Sequence, residues 1–203
     1  MQRTITNTRL SALSLCIGLA GLGLASGAAA QSTAAQSTKA PATGDAMKSS
    51  ATVAASDKAF AEKAAIGGLA EVAMGKLAQE KAGSDQVKQF GSRMVTDHSK
   101  ANDELKQVAS SKGLSLPTDL DAKHKSKVAK LEKLSGAQFD RAYMDDMVSD
   151  HKQDVSEFEK ESKSGHDSDI KGFASKTLPT LQEHLKMAQD TDAAVKGKKT
   201  ASR

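Results

Sequence analysis

Cysteine is nearly absent: Cys16 is the only one in 203 residues. A single thiol excludes an intrachain disulfide and a cysteine-based zinc site. Aromatic residues make up 3% of the chain, with one tyrosine and no tryptophan, and there are three prolines. A β-sandwich draws its strands from β-branched and aromatic residues, so this composition argues against one. A dominant charge is also lacking. The 29 basic residues stand against 25 acidic ones, a net +4, and no basic stripe is concentrated in the core, so nucleic acid is not an expected partner. What the chain has in quantity is Ala, Lys, Asp and Glu, which favours an all-α protein.

Residues 1–30 carry the pattern of a cleavable export signal. Arg3 and Arg9 precede an uncharged run from Leu10 to Leu24, and Ala28-Ala29-Ala30 offers small residues before Gln31. An uncleaved anchor is the alternative, but the run is short and glycine-rich for a membrane span. Export to a bacterial periplasm is the expected destination, with no stable membrane insertion after cleavage. Cleavage after Ala30 removes two arginines and no acid, which lowers the charge to +2, and it removes Cys16. Residues 31–56, rich in Ala, Ser and Thr, hold too little apolar surface to pack and read as a disordered tether. The basic residues 196–203 read as a frayed tail. Between them, 57–195 is long enough for one compact domain.

Turn signals divide that domain. Gly83-Ser84-Asp85 ends a first helical pattern, and a second runs to Gly113 before Leu116-Pro117. A shorter pattern covers Asp119 to Leu134, a long one Ala137 to Ser164, and a last one follows Gly165-His166-Asp167 to about Val195. Ser84 and Asp167 or Ser168 suit N-caps, and Gly83, Gly113 and Gly165 sit where left-handed C-terminal residues belong. Pro179 removes a ladder hydrogen bond and is expected to kink the last helix or start a second piece. The expected architecture is four long helices with a short extra helix in a long crossover between the second and third.

Each long helix carries one metal-capable residue on its apolar face. The stripes are Phe60, Ala64, Gly67, Glu71, Met74, Ala78; then Val87, Met94, His98, Leu105; then Phe139, Tyr143, Met147, His151, Phe158; then Ile170, Ala174, Leu181, His184, Ala188. Residues at one height in an antiparallel pair are equidistant from the turn. The midpoint of 71 and 98 falls at 84.5, on the first turn, and that of 151 and 184 at 167.5, on the last. A crossover spanning the bundle makes the second and third long helices parallel and brings all four residues into one layer, the arrangement of ferritin-like bundles. Met94-Val95-Thr96-Asp97-His98 is echoed 53 residues on by Met147-Val148-Ser149-Asp150-His151, which suggests equivalent jobs for two helices.

A neutral imidazole and a carboxylate suit zinc, manganese, iron or copper. The expected metal ligands are therefore Glu71, His98, His151 and His184. Asp97, Asp150 and Glu183, each one residue before a histidine, are candidate acceptors for a histidine of a neighbouring helix. Gly67 and Gly75 bracket Glu71, giving either close helix approach or space beside the carboxylate, with close packing favoured. His124 and Tyr143 read as packing residues, and His166 as an exposed turn residue.

Several strings together resemble one bacterial family. Ile66-Gly67-Gly68-Leu69-Ala70-Glu71, Met94 to His98, Phe139-Asp140-Arg141-Ala142-Tyr143-Met144, Asp150-His151 and Leu178-Pro179-Thr180-Leu181-Gln182-Glu183-His184 are similar to the domain of unknown function 4142 family. The resemblance implies an exported, ferritin-like four-helix protein and supplies no reaction. Working di-iron bundles use Glu-x-x-His pairs, whereas Val95, Val148 and Leu181 stand three residues before the histidines here. A mononuclear His/Glu site is thus expected rather than a ferroxidase, with a role in metal handling or envelope stress. The competing expectation is a metal-free interaction module whose polar layer is structural. The chain shows no nucleophile–base pair and no phosphate loop, so enzyme activity is not the leading expectation. If present, it is that of a metal-dependent oxidoreductase.

Overall fold

The computed structural model describes residues 52–197. The export signal, Cys16, residues 31–51 of the expected tether and the end of the basic tail lie outside the described residues. Five helices follow in order: α1 (Ala55–Lys81), α2 (Asp85–Ser111), α3 (Ala122–Glu132), α4 (Gly136–Ser164) and α5 (Ser168–Gly197). No strand occurs among the described residues beyond one isolated bridge between Ala82 and Gly136. No helix among them is long and apolar enough to cross a membrane.

The four long helices form two hairpins, α1–α2 and α4–α5, which pack α2 against α5 and α1 against α4, with the crossover helix α3 on α1 and α4. Both cross-hairpin pairs are antiparallel. Lys63 meets Glu157 and Gly83 meets Asp140, so α1 and α4 run oppositely. Arg93 meets Glu183 and Lys112 meets Asp167, so α2 and α5 do as well. This is the all-α, ferritin-like four-helix bundle with a helical crossover that the turn spacing implied.

The ends of the helices differ in detail from the sequence pattern. Asp167 caps α5 by accepting the amides of Asp169 and Ile170 at 2.9 and 3.1 Å, and Asp121 caps α3. Ser84 holds the N-cap position of α2 without a side-chain cap bond. Of the three glycines expected in the left-handed region, only Gly113 is there, at φ +67°. Gly165 has φ −59°, and Ala82 leaves α1 in an extended conformation toward Gly136, which is the second left-handed residue. Gly83 is small for a different reason: a Cβ there would lie 2.9 Å from the Gly136 Cα. Pro179 stands inside one uninterrupted α5, so no second helical piece begins there.

Gly67 and Gly75 also divide. A Cβ on Gly75 would meet the Gly91 carbonyl oxygen at 2.8 Å, so α1 and α2 approach closely there; a Cβ on Gly67 would meet nothing within 4 Å. Gly75→Ala is expected to destabilise by about 1–3 kcal/mol through overpacking. Gly67→Ala is expected to stabilise by up to about 1 kcal/mol through helix propensity. Urea midpoints of the two variants check the opposite signs.

The interior consists of two apolar clusters. Met74, Phe90, Met94, Phe139, Tyr143 and Met147 anchor one, toward the α1–α2 turn. Phe60, Leu105, Phe158, Ile170, Phe173 and Leu181 anchor the other. Between them, on all four long helices, the chain turns polar. Glu71, His98, His151 and His184 are all buried.

Candidate metal centre

Helical periodicity delivers one residue per helix to this layer, and hairpin symmetry sets the heights. The rings of His98, His151 and His184 form a triangle with centroid separations of 5.7, 5.2 and 5.4 Å. One ring nitrogen from each lies within 4.8 Å of the other two, close enough for a single ion. Phe90 packs edge-on to His151 from the apolar side, at 6.4 Å.

Each imidazole has one nitrogen engaged and one free. His98 Nδ1 donates to Glu71 Oε2 at 2.8 Å. His151 Nδ1 donates to the Met147 carbonyl oxygen at 3.0 Å, one turn back in its own helix. His184 Nε2 donates to Asp97 Oδ2 at 2.8 Å, across the α2–α5 contact. The remaining nitrogens, His98 Nε2, His151 Nε2 and His184 Nδ1, are buried without a hydrogen-bond partner, as is Glu71 Oε1. Leaving buried polar atoms unpaired costs about 1–3 kcal/mol each. Fixing one nitrogen of a ring on a carboxylate or carbonyl and presenting the other's lone pair is the arrangement in which histidine binds metals.

Glu71 is in the layer but behind one of its rings. Its Oε2 accepts from the Nδ1 edge of His98. Its Oε1 lies 3.4 Å from His151 Nε2. Burial alone raises the Glu71 carboxyl, but attraction to His98 and His151, which acts once acid charges the rings, and the His98 hydrogen bond outweigh it and hold the group at about 2. Burial, joined by repulsion from the other two histidines, outweighs the Asp97 bond and lowers His184 to about 4. Burial likewise lowers His151. At neutral pH those two rings are therefore neutral, with their lone pairs available.

The three acids preceding histidines separate. Asp97 bridges His184 and the Arg93 guanidinium. Asp150 instead takes two bonds from Lys127 of α3, at 2.6 and 2.7 Å. Glu183 is exposed and lies 3.5 Å from Arg93 Nη2. Loss of an orienting partner lowers metal affinity by about 10–100-fold. That is the expected effect of Asp97→Asn by competition titration against a chelator, whereas Glu183→Gln is expected to leave the affinity unchanged.

Of the packing residues, Tyr143 is fully buried, and burial and then the Glu71 charge push its phenol well up. His166 is exposed in its turn, as expected. His124 is bonded to Asp121 and lies at the wall of a cavity rather than in the core. Three buried acids, Asp57, Asp140 and Glu161, and the half-buried Asp154 carry no role in the sequence pattern. Asp57 accepts the amides of His166 and Asp167 and so pins the α4–α5 turn to α1. Asp140 accepts the Gly83 amide. Asp154, one turn beyond His151, has its carboxyl pushed well up by burial and by the Glu71 charge. Its spacing on the buried face was the available signal.

The chain belongs to the family described as Domain of unknown function (DUF4142), whose sequence pattern matches residues 42–191. No curated protein matches it. Among solved structures it is similar to a DUF305 protein from Streptomyces coelicolor, described as an inferred secreted protein. The identity is 14% and the TM-score 0.60, over 69% of this chain and 92% of that one. A DUF305 fragment from Deinococcus radiodurans is similar at 11% identity and TM-score 0.62, over 70% of this chain and 98% of that one. At these identities the likeness concerns the fold.

Proposed function

We propose that this is an exported bundle protein that holds one transition-metal ion on His98, His151 and His184 and serves metal handling or envelope protection. The observation that carries the reading is the set of three orphaned ring nitrogens, each on a ring whose other nitrogen is already committed. Glu71, Asp97 and the Met147 carbonyl set the ring orientations. Glu71 stands one side-chain rotation from the ion as a candidate fourth ligand. Three protein ligands leave a position for water or a small ligand, the form that catalytic and exchangeable sites share. Zinc, manganese, iron and copper all suit this donor set.

Export is supported by the N-terminal pattern Arg3, Arg9, the uncharged run and Ala28-Ala29-Ala30, and by the description of one structural neighbour as secreted. The reading is tested by dialysing the mature protein against each metal and measuring the bound ion by elemental analysis. One ion per chain is expected for the wild type and none for the triple alanine variant of the histidines. A chain that stays metal-free after repletion, with a melting temperature indifferent to chelator, would instead support a structural polar layer.

A further inference from the structure

Three cavities meet at the histidine layer. One of about 190 Å³ opens between α1, α3 and α4, with Gly67, Glu71 and Asp154 in its wall. One of about 20 Å³ lies deeper and shares those three residues, and it is also lined by His98. The third, of about 120 Å³, lies between α2 and α5 and is lined by His98 and His184. Together they cross the bundle past the candidate ligands.

Their charges differ. Asp121, Glu157 and Glu71 line the first with Asp150, which Lys127 holds, and Asp154, whose carboxyl burial and the Glu71 charge push toward the neutral form; Lys63 and Lys123 are the cations in its lining. In the third, Asp97 and Glu104 are balanced by Lys100 and Lys176. The first also ends on Glu71, its side chain 4% exposed: Oε2 is taken by His98, whereas Oε1 has no hydrogen-bond partner and lies 3.4 Å from His151 Nε2. Gly67, one helical turn from Glu71 on the same face, leaves the approach open, because any side chain there would project into space that nothing else fills.

We propose that the cavity between α1, α3 and α4 is the entry route for a divalent transition-metal cation, with Asp154 and Glu71 Oε1 as the transfer site to the histidines and Gly67 as the opening. The proposal rests on the metal-binding reading above. Asp154 yields its proton to cavity water as the cation arrives, the two carboxylates replace waters of the hydrated ion stepwise, and Glu71 Oε1 delivers it beside His151 Nε2, 3.4 Å away.

Stopped-flow loading of cobalt(II) into the metal-free mature chain tests the route. Carboxylate steering makes the loading rate fall as ionic strength rises, although the chain as a whole is net positive; a route without such steering gives a rate that rises with salt. Gly67→Leu is expected to slow loading by about tenfold or more, the lower end of what steering and access supply, with final stoichiometry and equilibrium affinity unchanged. Thr180→Phe, which fills the α2–α5 cavity, is expected to load at the wild-type rate. A rate that rises with salt, a slowed Thr180→Phe, or a Gly67→Leu variant that loads normally overturns the route. If Gly67→Leu fails to give the wild-type circular dichroism, the Asp154→Asn/Glu157→Gln double variant serves in its place, and it must both slow loading and flatten the salt dependence. Failure of the wild type to bind cobalt at all overturns the metal reading itself, an outcome distinct from these.

Discussion

Addition of a bound metal to the wild-type chain should raise its melting temperature, and the rise should vanish in His151→Ala. A ligand that binds only the folded state at a thousand times its Kd stabilises by about 4 kcal/mol. At about 2–4 °C per kcal/mol for a chain of this size, that is a shift of roughly 8–16 °C. His151 is the ring to remove first, because it is fully buried and its Nδ1 is fixed by its own helix, which leaves Nε2 turned to the polar layer without a hydrogen bond. The variant leaves a cavity and melts lower in any case. The informative quantity is therefore the metal-dependent shift, read by calorimetry with and without chelator. His98→Ala and His184→Ala should abolish the shift as well, whereas a histidine outside the layer, changed as His166→Ala, should keep it.

The second large effect is acid lability of the metal-free protein. His184 is held at about 4 in the fold, below its ordinary 6.5. Between those values the unfolded chain binds the proton and the folded chain does not, so folding stability rises with pH through that window. The lowered His151 acts in the same direction. For His184 alone the difference amounts to on the order of 3 kcal/mol lost as pH falls from 6.5 to 4. Glu71 adds a further loss at lower pH. Its carboxyl, depressed from 4.5 to about 2, contributes stability that is present above pH 4.5 and disappears as pH falls toward 2. Destabilisation should therefore begin near pH 6.5, earlier than carboxylate titration alone produces. Urea titrations of chelator-treated protein across pH 4–7 measure it, and a flat midpoint from pH 6.5 to 5 contradicts neutral buried histidines.

The helices, their order and the buried layer were legible in the sequence because periodicity and equidistance from turns are one-dimensional facts. Glu71 and His98 meet at 2.8 Å, as a midpoint on Ser84-Asp85 required. What each polar group meets across a helix contact was not legible. Asp97 and Asp150 occupy matching places in an internal echo, yet one faces His184 and the other Lys127, because α2 lies against α5 while α4 lies beside the crossover helix. Glu104 and Glu157, also matched in the echo, do behave alike, each reaching a lysine on the antiparallel neighbour, Lys176 and Lys63. The two glycines around Glu71 look equivalent on a helical wheel, but Gly75 is pressed against Gly91 and Gly67 faces a cavity. Which edge of an imidazole takes the hydrogen bond depends on side-chain rotamers, so the place of Glu71 behind His98 could be seen only in three dimensions.

The most direct measurement is the metal content of the protein isolated from its own cells, per chain, beside the same preparation with His98, His151 and His184 replaced by alanine. One ion per wild-type chain and none in the variant is the expected result. Equal metal in both, or none in the wild type even after repletion, contradicts a histidine-bound ion at the centre of the bundle.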